Sequence, residues 1–228
     1  MNIFGLQKLT LIDYPGLTAA TVFLSGCDYK CPFCHNAAFL DENNTNLIDV
    51  DEVITFLKTR IKKLDGVCIS GGEPLLHNGI ESFIKDIKNL GYKIKLDTNG
   101  QNTETLKRLV ESELVDYVAM DVKSSLHNYG KAVDIDGFDT SQVEESAEFL
   151  LTGVVPYEFR TTVVREFHNA DDFYFIGEWL ENADKYFLQK FRDSEGVLIK
   201  DLSAYNDDEM KEFCEILAKY NINASLRE

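Results

Sequence analysis

Basic residues are scarce for a chain of this size: 23 Lys and Arg face 39 Asp and Glu, a formal net charge of −16 over 228 residues. A sequence-independent nucleic-acid binder or a protein for anionic membrane surfaces needs the opposite sign, so both classes are set aside. Partners are expected to be neutral or basic, or to be met at a local patch. Cysteine is scarce too. Five in the chain are too few for a disulfide scaffold, and the odd count leaves at least one thiol unpaired. No apolar run approaches the roughly 18 residues that a membrane-spanning helix needs. The opening Met1-Asn2-Ile3-Phe4-Gly5 lacks the charged and apolar regions of a leader peptide, and no lipidation signal is found. A cytoplasmic protein is expected. Internal repeats and low-complexity segments are missing as well, which excludes solenoids and tails.

What is present is a globular composition, 44% hydrophobic and 27% charged. Short apolar runs alternate with helix-period segments. Strands are expected at Ala19–Leu24, Val67–Ser70, Lys93–Thr98, Tyr117–Lys123, Tyr157–Val164 and Tyr186–Phe191, with a short last one at Ile222–Leu226. Helices are expected at Asp49–Leu64, Gly79–Leu90, Thr103–Glu111, Ser141–Leu151 and Ala170–Asn182. Asn206 opens another, with Glu209 at the capping-box position; Asp49 and Glu52 have the same spacing. This alternation implies right-handed crossovers and a parallel sheet covered by helices. About six such units are too few to close an eightfold barrel. The expected fold is therefore α/β, an open partial (β/α)6 barrel with parallel strands, in one domain over residues 1–228. Asp134, Asp136, Asp139, Glu144, Glu145 and Glu148 run without an intervening base. They read as a solvated loop and helix start, or as a docking face for a basic partner.

Three of the five cysteines fall in Cys27-Asp28-Tyr29-Lys30-Cys31-Pro32-Phe33-Cys34, directly after the first long strand. Three thiolates at these spacings can converge on a metal centre. An ordinary [4Fe–4S] site has four cysteine ligands, so three leave one iron open, which marks a catalytic cluster more than an electron wire. Cys68, inside a buried strand, and Cys214, within a helix, suit an apolar core better than ligation. Zinc is the alternative, because His35 completes a Cys3His set. Against it, adjacent Cys34 and His35 side chains rarely reach one ion. Gly71-Gly72-Glu73-Pro74 follows the strand Val67–Ser70. Two glycines at the carboxyl end of a parallel strand let a backbone approach a ligand that any Cβ would exclude, at the edge where such folds bind ligands. A helix lead-in with Pro74 in its first turn is the simpler account.

The cysteine loop followed by this glycine turn resembles the radical S-adenosylmethionine (radical SAM) superfamily. Cys34-His35-Asn36, Leu96-Asp97-Thr98-Asn99-Gly100, Met120-Asp121-Val122-Lys123 and Phe159-Arg160 resemble the glycyl-radical-enzyme activating enzymes within it. Gly5-Leu6-Gln7-Lys8, Ile12-Asp13-Tyr14-Pro15-Gly16 and Leu188-Gln189-Lys190-Phe191-Arg192 look most like the anaerobic ribonucleoside-triphosphate reductase activating proteins. The resemblance implies an oxidoreductase in which Cys27, Cys31 and Cys34 hold a [4Fe–4S] cluster and S-adenosylmethionine chelates its open iron. It gives cofactor contacts to Asn36, Gly71, Gly72, Glu73, Pro74, Asp97, Thr98, Asn99, Asp121, Lys123 and Arg160. Lys123 and Arg160 would meet the cofactor's carboxylate or ribose. Asp97, Asp121, Thr98 and the carbonyl of Ala119 could form a monovalent-cation site.

The implied reaction is reductive cleavage of S-adenosylmethionine and formation of a glycyl radical on a partner protein. By resemblance the partner is an anaerobic ribonucleotide reductase, with a flavodoxin- or ferredoxin-type electron donor and neither nucleic acid nor membrane. No further cysteine lies between Cys34 and Gly71, so one cluster is expected. His35 could donate to a cluster sulfide or simply pack the loop. Arg192 stands where some relatives have a histidine. His77 reads as a helix-start residue, and nothing is assigned to His127 or His168. A radical enzyme acting on a small molecule, similar to 7-carboxy-7-deazaguanine synthase, and a structural zinc protein are the rivals.

Overall fold

Strands made of consecutive apolar residues can be buried only in a sheet covered on both faces. The computed structural model describes residues 1–40 and 47–227. Eight strands form one open sheet in chain order: β1 (Ile3–Thr10), β2 (Ala19–Leu24), β3 (Gly66–Gly71), β4 (Lys93–Thr98), β5 (Tyr117–Asp121), β6 (Tyr157–Val163), β7 (Tyr186–Lys190) and β8 (Ala224–Arg227). Pairings β2–β3, β3–β4, β6–β7 and β7–β8 are parallel, and β1–β2 is antiparallel. Helices α1 (Val50–Lys58), α2 (Ile80–Asn89), α3 (Thr103–Glu111), α4 (Tyr129–Val133), α5 (Ser141–Leu151), α6 (Ala170–Trp179) and α7 (Asp207–Ala218) lie between them. Among the described residues, no helix is long and apolar enough to cross a membrane.

Most expected elements are present within a few residues of their expected ends. The expected helix Asp49–Leu64 is shorter: Asp49 caps α1 by accepting from the Asp51 N–H, but the helix stops at Lys58. Lys62 adopts a left-handed φ of 64°, a conformation no helix continues through. Ile61, which a helix running to Leu64 would place on one face with Val53 and Leu57, is consequently 44% exposed. Strand β1 was not expected. Only its two ends are buried, and its register with β2 is irregular, so it shows no sustained alternation. The acidic run falls on the loop before α5 and on α5 itself, with Asp134, Asp136, Asp139, Glu145 and Glu148 exposed.

The chain divides into two compact units. The first comprises Met1–Asp28, Ala38–Thr98 and Asn102–Val118. Its β3 and β4 bury Val67, Ile69, Ile94 and Leu96 completely, while α1 and α2 contribute Val53, Leu57, Phe83, Ile84 and Ile87. Each such side chain adds about 1.5–3 kcal/mol by leaving water. Asp116 pins the start of β4: it accepts from the Ile94 N–H and pairs with Lys88 and Lys93, each at 2.8 Å.

The second unit comprises Tyr29–Ala37, Asn99–Gln101 and Ala119–Glu228. Capping boxes open α6 (Asn169 with Asp172) and, as expected, α7 (Asn206 with Glu209). The two helices pack through stacked Phe173 and Phe213 rings 4.3 Å apart. The Glu158 side chain on β6 is fully buried, and Arg227 on β8 reaches it with two nitrogens at 2.6 and 2.9 Å. Arg227 also lies over the Phe187 ring, 3.6 Å from its centroid.

Losing one partner of such a pair strands a buried charge, at a cost of about 3–5 kcal/mol. Arg227→Met should therefore lower the denaturation midpoint sharply. The double variant Arg227→Met/Glu158→Gln should recover much of the loss, as measured by urea titration.

Candidate functional site

In the first unit the ends of β2 and β3 interlock. The Gly72 N–H donates to the Leu24 carbonyl and the Glu73 N–H to the Gly26 carbonyl, each at 2.8 Å. The Gly26 N–H donates to the Phe39 carbonyl at 2.7 Å. A Cβ on Gly72 would overlap the Gly26 carbonyl, and one on Gly71, whose φ is +123°, would overlap the Leu24 backbone. These glycines thus have a reason for being glycine that is internal to the chain. The sequence suggested a ligand approach or a helix lead-in, and Pro74 does open the Pro74–Leu76 turn. The interlock sets the backbone immediately before Cys27, a half-buried thiol outside any disulfide.

Glu73 turns inward. Its carboxylate is 1% exposed and caps the Pro74–Leu76 turn, accepting from the Leu75 N–H at 3.0 Å and the Thr98 hydroxyl at 2.8 Å. The Glu73 and Thr98 side chains therefore bind each other. Asp97 accepts from the Ser70 hydroxyl at 3.0 Å and is ion-paired with Lys95. Lys95 is 1% exposed and its Nζ stands 4.0 Å from the Cys68 sulfur.

The second unit carries Cys31 and Cys34 on a loop gripped mainly through its backbone. The Ile199 N–H donates to the Pro32 carbonyl at 2.9 Å, and the Leu198 N–H to the Cys34 carbonyl at 3.2 Å. His35 Nε2 lies 2.8 Å from the Arg192 carbonyl, so it is the protonated nitrogen. His35 thus packs the loop, and Arg192 is engaged through its backbone. Asn36 ends the loop in an exposed position. Asn99 is buried and accepts from the Gln101 N–H at 2.9 Å, forming a turn.

Asp121, at the end of β5, accepts from Arg160 Nε at 2.9 Å and from Lys123 Nζ at 3.0 Å. Burial works against its charge, but Arg160 and Lys123 outweigh that and hold the carboxyl down at about 2. Burial pulls the Lys123 ammonium down, yet Asp121 and then Cys31 raise it further. Burial pushes the Cys31 thiol up to about 11, with Lys123 opposing and Cys34 and Asp121 adding to the rise.

Two residues behind Lys123 escaped sequence reasoning. The Tyr129 hydroxyl, fully buried, accepts from the Lys123 N–H at 3.3 Å. His168 Nε2 donates to the Lys123 carbonyl at 2.8 Å while its Nδ1 accepts from the Val164 N–H at 3.1 Å. Burial lowers the His168 pKa against both hydrogen bonds, so the ring is neutral, as this pattern requires. Lys95 was missed too, although Lys93-Ile94-Lys95-Leu96-Asp97 alternates charge with apolar residues inside a buried strand, which was a usable signal.

Among the described residues, no group of three or more His, Cys, Asp or Glu side chains is gathered as a ready single-ion site. None of the five cysteines is in a disulfide, and Cys68 is fully buried. Three unbridged thiols are a soft donor set that suits an iron–sulfur cluster. Gly72→Ala tests the origin of the glycine turn. Overlap with the Gly26 carbonyl should cost about 1–3 kcal/mol, read as a lower melting temperature of the metal-free protein. An unchanged melt would return the glycine to a ligand role.

The sequence profile of the radical SAM superfamily matches residues 21–166. A Methanocaldococcus jannaschii protein named "Putative glycyl-radical enzyme activating enzyme" is 31% identical over 99% of this chain and 95% of its own length. The pyruvate formate-lyase-activating enzyme of Staphylococcus aureus is 25% identical, over 83% of this chain and 78% of that protein. Streptococcus suis SuiB bound to S-adenosylmethionine shares the fold, with a TM-score of 0.70 at 14% identity over 91% of this chain. The chain spans about half of that structure, 52%. The chain belongs to the radical SAM superfamily, within the branch of the glycyl-radical-enzyme activating enzymes.

Proposed function

We propose that this protein activates a glycyl radical enzyme by reductive cleavage of S-adenosylmethionine, with an anaerobic ribonucleoside-triphosphate reductase as its target. The observation that carries the reading is the 31% identity to the archaeal relative along 99% of the chain. The terminal motifs, Gly5-Leu6-Gln7-Lys8 and Leu188-Gln189-Lys190-Phe191-Arg192, support the choice of partner. The chain would work as one radical SAM domain over residues 1–228, in the cytoplasm, with a flavodoxin- or ferredoxin-type protein as electron source.

Cys27, Cys31 and Cys34 would hold the cluster. When bound, the cluster and S-adenosylmethionine supply the hard chemistry: one-electron cleavage of a carbon–sulfur bond and removal of a glycine Cα hydrogen from the partner. The chain's own groups bind and orient. The Gly71-Gly72-Glu73-Pro74 backbone would receive the methionyl amine. Lys123 and Arg160, already fixed by Asp121, would meet carboxylate or ribose with charge-assisted hydrogen bonds. Asn36, Asp97, Thr98 and Asn99 would complete the surroundings. No side chain need act as a general acid or base. By binding and orienting the cofactor, these residues would make their main kinetic contribution through approximation.

The reconstituted protein should contain about four irons and four sulfides per chain. Mixed anaerobically with a reductant, S-adenosylmethionine and an anaerobic ribonucleotide reductase, it should produce a glycyl radical signal in electron paramagnetic resonance. Cys31→Ala should abolish both that signal and the release of 5′-deoxyadenosine; cleavage that survives the substitution overturns the cluster assignment. Bound zinc without sulfide would overturn it as well. If the acidic surface helps docking, complex formation with the reductase should weaken as ionic strength rises from about 0.05 to 0.5 M, measured by sedimentation; salt-independent association removes that role.

A further inference from the structure

Lys95 is the most deeply buried cationic side chain in the first unit, at 1% exposure. It lies on β4, where side chains two apart share a face, so Lys95 and Asp97 point the same way. Cys68 of β3 is the register partner of Lys95, and the Ser70 hydroxyl donates to Asp97 at 3.0 Å. One face of two adjacent strands thus holds a thiol, a hydroxyl, an ammonium and a carboxylate. Ile94 and Leu96 on the other face are fully buried. An ammonium in this position is tolerated only because a carboxylate faces it.

The site residues carry a second charge pattern of the same kind. Asp121 has both oxygens engaged, one by Lys123 and one by Arg160. Each of the two carboxylates expected to bind a free monovalent cation is thus already matched by cations built into the chain. The Lys95–Asp97 pair sums to zero and the Asp121–Lys123–Arg160 group to plus one. A free cation added at Asp97 would have to displace a tethered ammonium of equal charge.

We infer that Lys95 is a resident counter-ion: its ammonium does at Asp97 what a bound sodium or potassium ion would do, so that S-adenosylmethionine binding by this chain needs no free cation. Lys95 is a positioning residue in this account, acting through Asp97. The inference rests on the functional reading above for the cofactor's identity, but not for the charge arrangement.

The test has two arms. In the first, S-adenosylmethionine is titrated calorimetrically into the cluster-loaded protein in sodium, potassium or tetramethylammonium chloride at equal ionic strength. Wild-type Kd should agree across the three salts within about twofold, and Lys95→Met should weaken about tenfold in tetramethylammonium and recover in sodium or potassium. The second arm needs no cofactor. The melting temperature of metal-free wild type should be the same in all three salts, while that of Lys95→Met should fall in tetramethylammonium and rise on adding sodium or potassium. A wild-type protein that requires sodium or potassium in either arm overturns the inference. So does a Lys95→Met protein that matches wild type in tetramethylammonium. Should Lys95→Met not fold, Lys95→Met/Asp97→Asn, which removes both charges, replaces it and should show no salt preference; a sodium or potassium preference there is again adverse. Failure of S-adenosylmethionine to bind wild type in any salt would count against the functional reading, and the melting arm would still decide the role of Lys95.

Discussion

The first unit depends on the close approach of two main chains. Where β3 ends, Gly71 and Gly72 let the backbone settle against Leu24 and Gly26 so closely that no side chain fits between them. Two hydrogen bonds follow from that approach, and they fix the peptide just before Cys27. The buried Glu73 carboxylate continues the same construction by closing the next turn and binding Thr98. A motif that reads in sequence as a ligand cradle is also the bolt that holds two strand ends together.

Charge is handled with similar economy. Acid outnumbers base along the chain, yet the carboxylates that matter each have partners. Glu158 has Arg227, Asp97 has Lys95, and Asp121 has Lys123 with Arg160. Buried ions are stable only when paired, and here the pairing also fixes orientation. Around Lys123 the fixing extends deeper, to a tyrosine hydroxyl and a neutral imidazole that hold its backbone.

Much of this was legible from the chain alone, for specific reasons. Covered strands appear as apolar runs, so β2 was found with its observed ends, and the alternation in Lys93–Thr98 gave those of β4. Motifs of unusual composition, the three cysteines and the glycine pair, stand out in any sequence. What stayed hidden depends on long-range contact. Strand β1 is half exposed and irregular. His168 looks like any turn histidine until Lys123, 45 residues away, is seen against it. Lys95 resembles a surface residue until its burial beside Cys68 and Asp97 is seen. The exposed Ile61 shows the converse error, periodicity carried past Lys58, where the helix stops short of the left-handed Lys62.

The segment following β7 grips the cysteine loop through peptide groups: the carbonyl of Arg192 and the amides of Leu198 and Ile199. Amides and carbonyls are common to nearly all residue types, so the hold is largely blind to the side chains that present it. Evolution is therefore free to vary the outward groups of this segment, including the exposed Leu198 and Ile199, while the cysteine loop stays anchored.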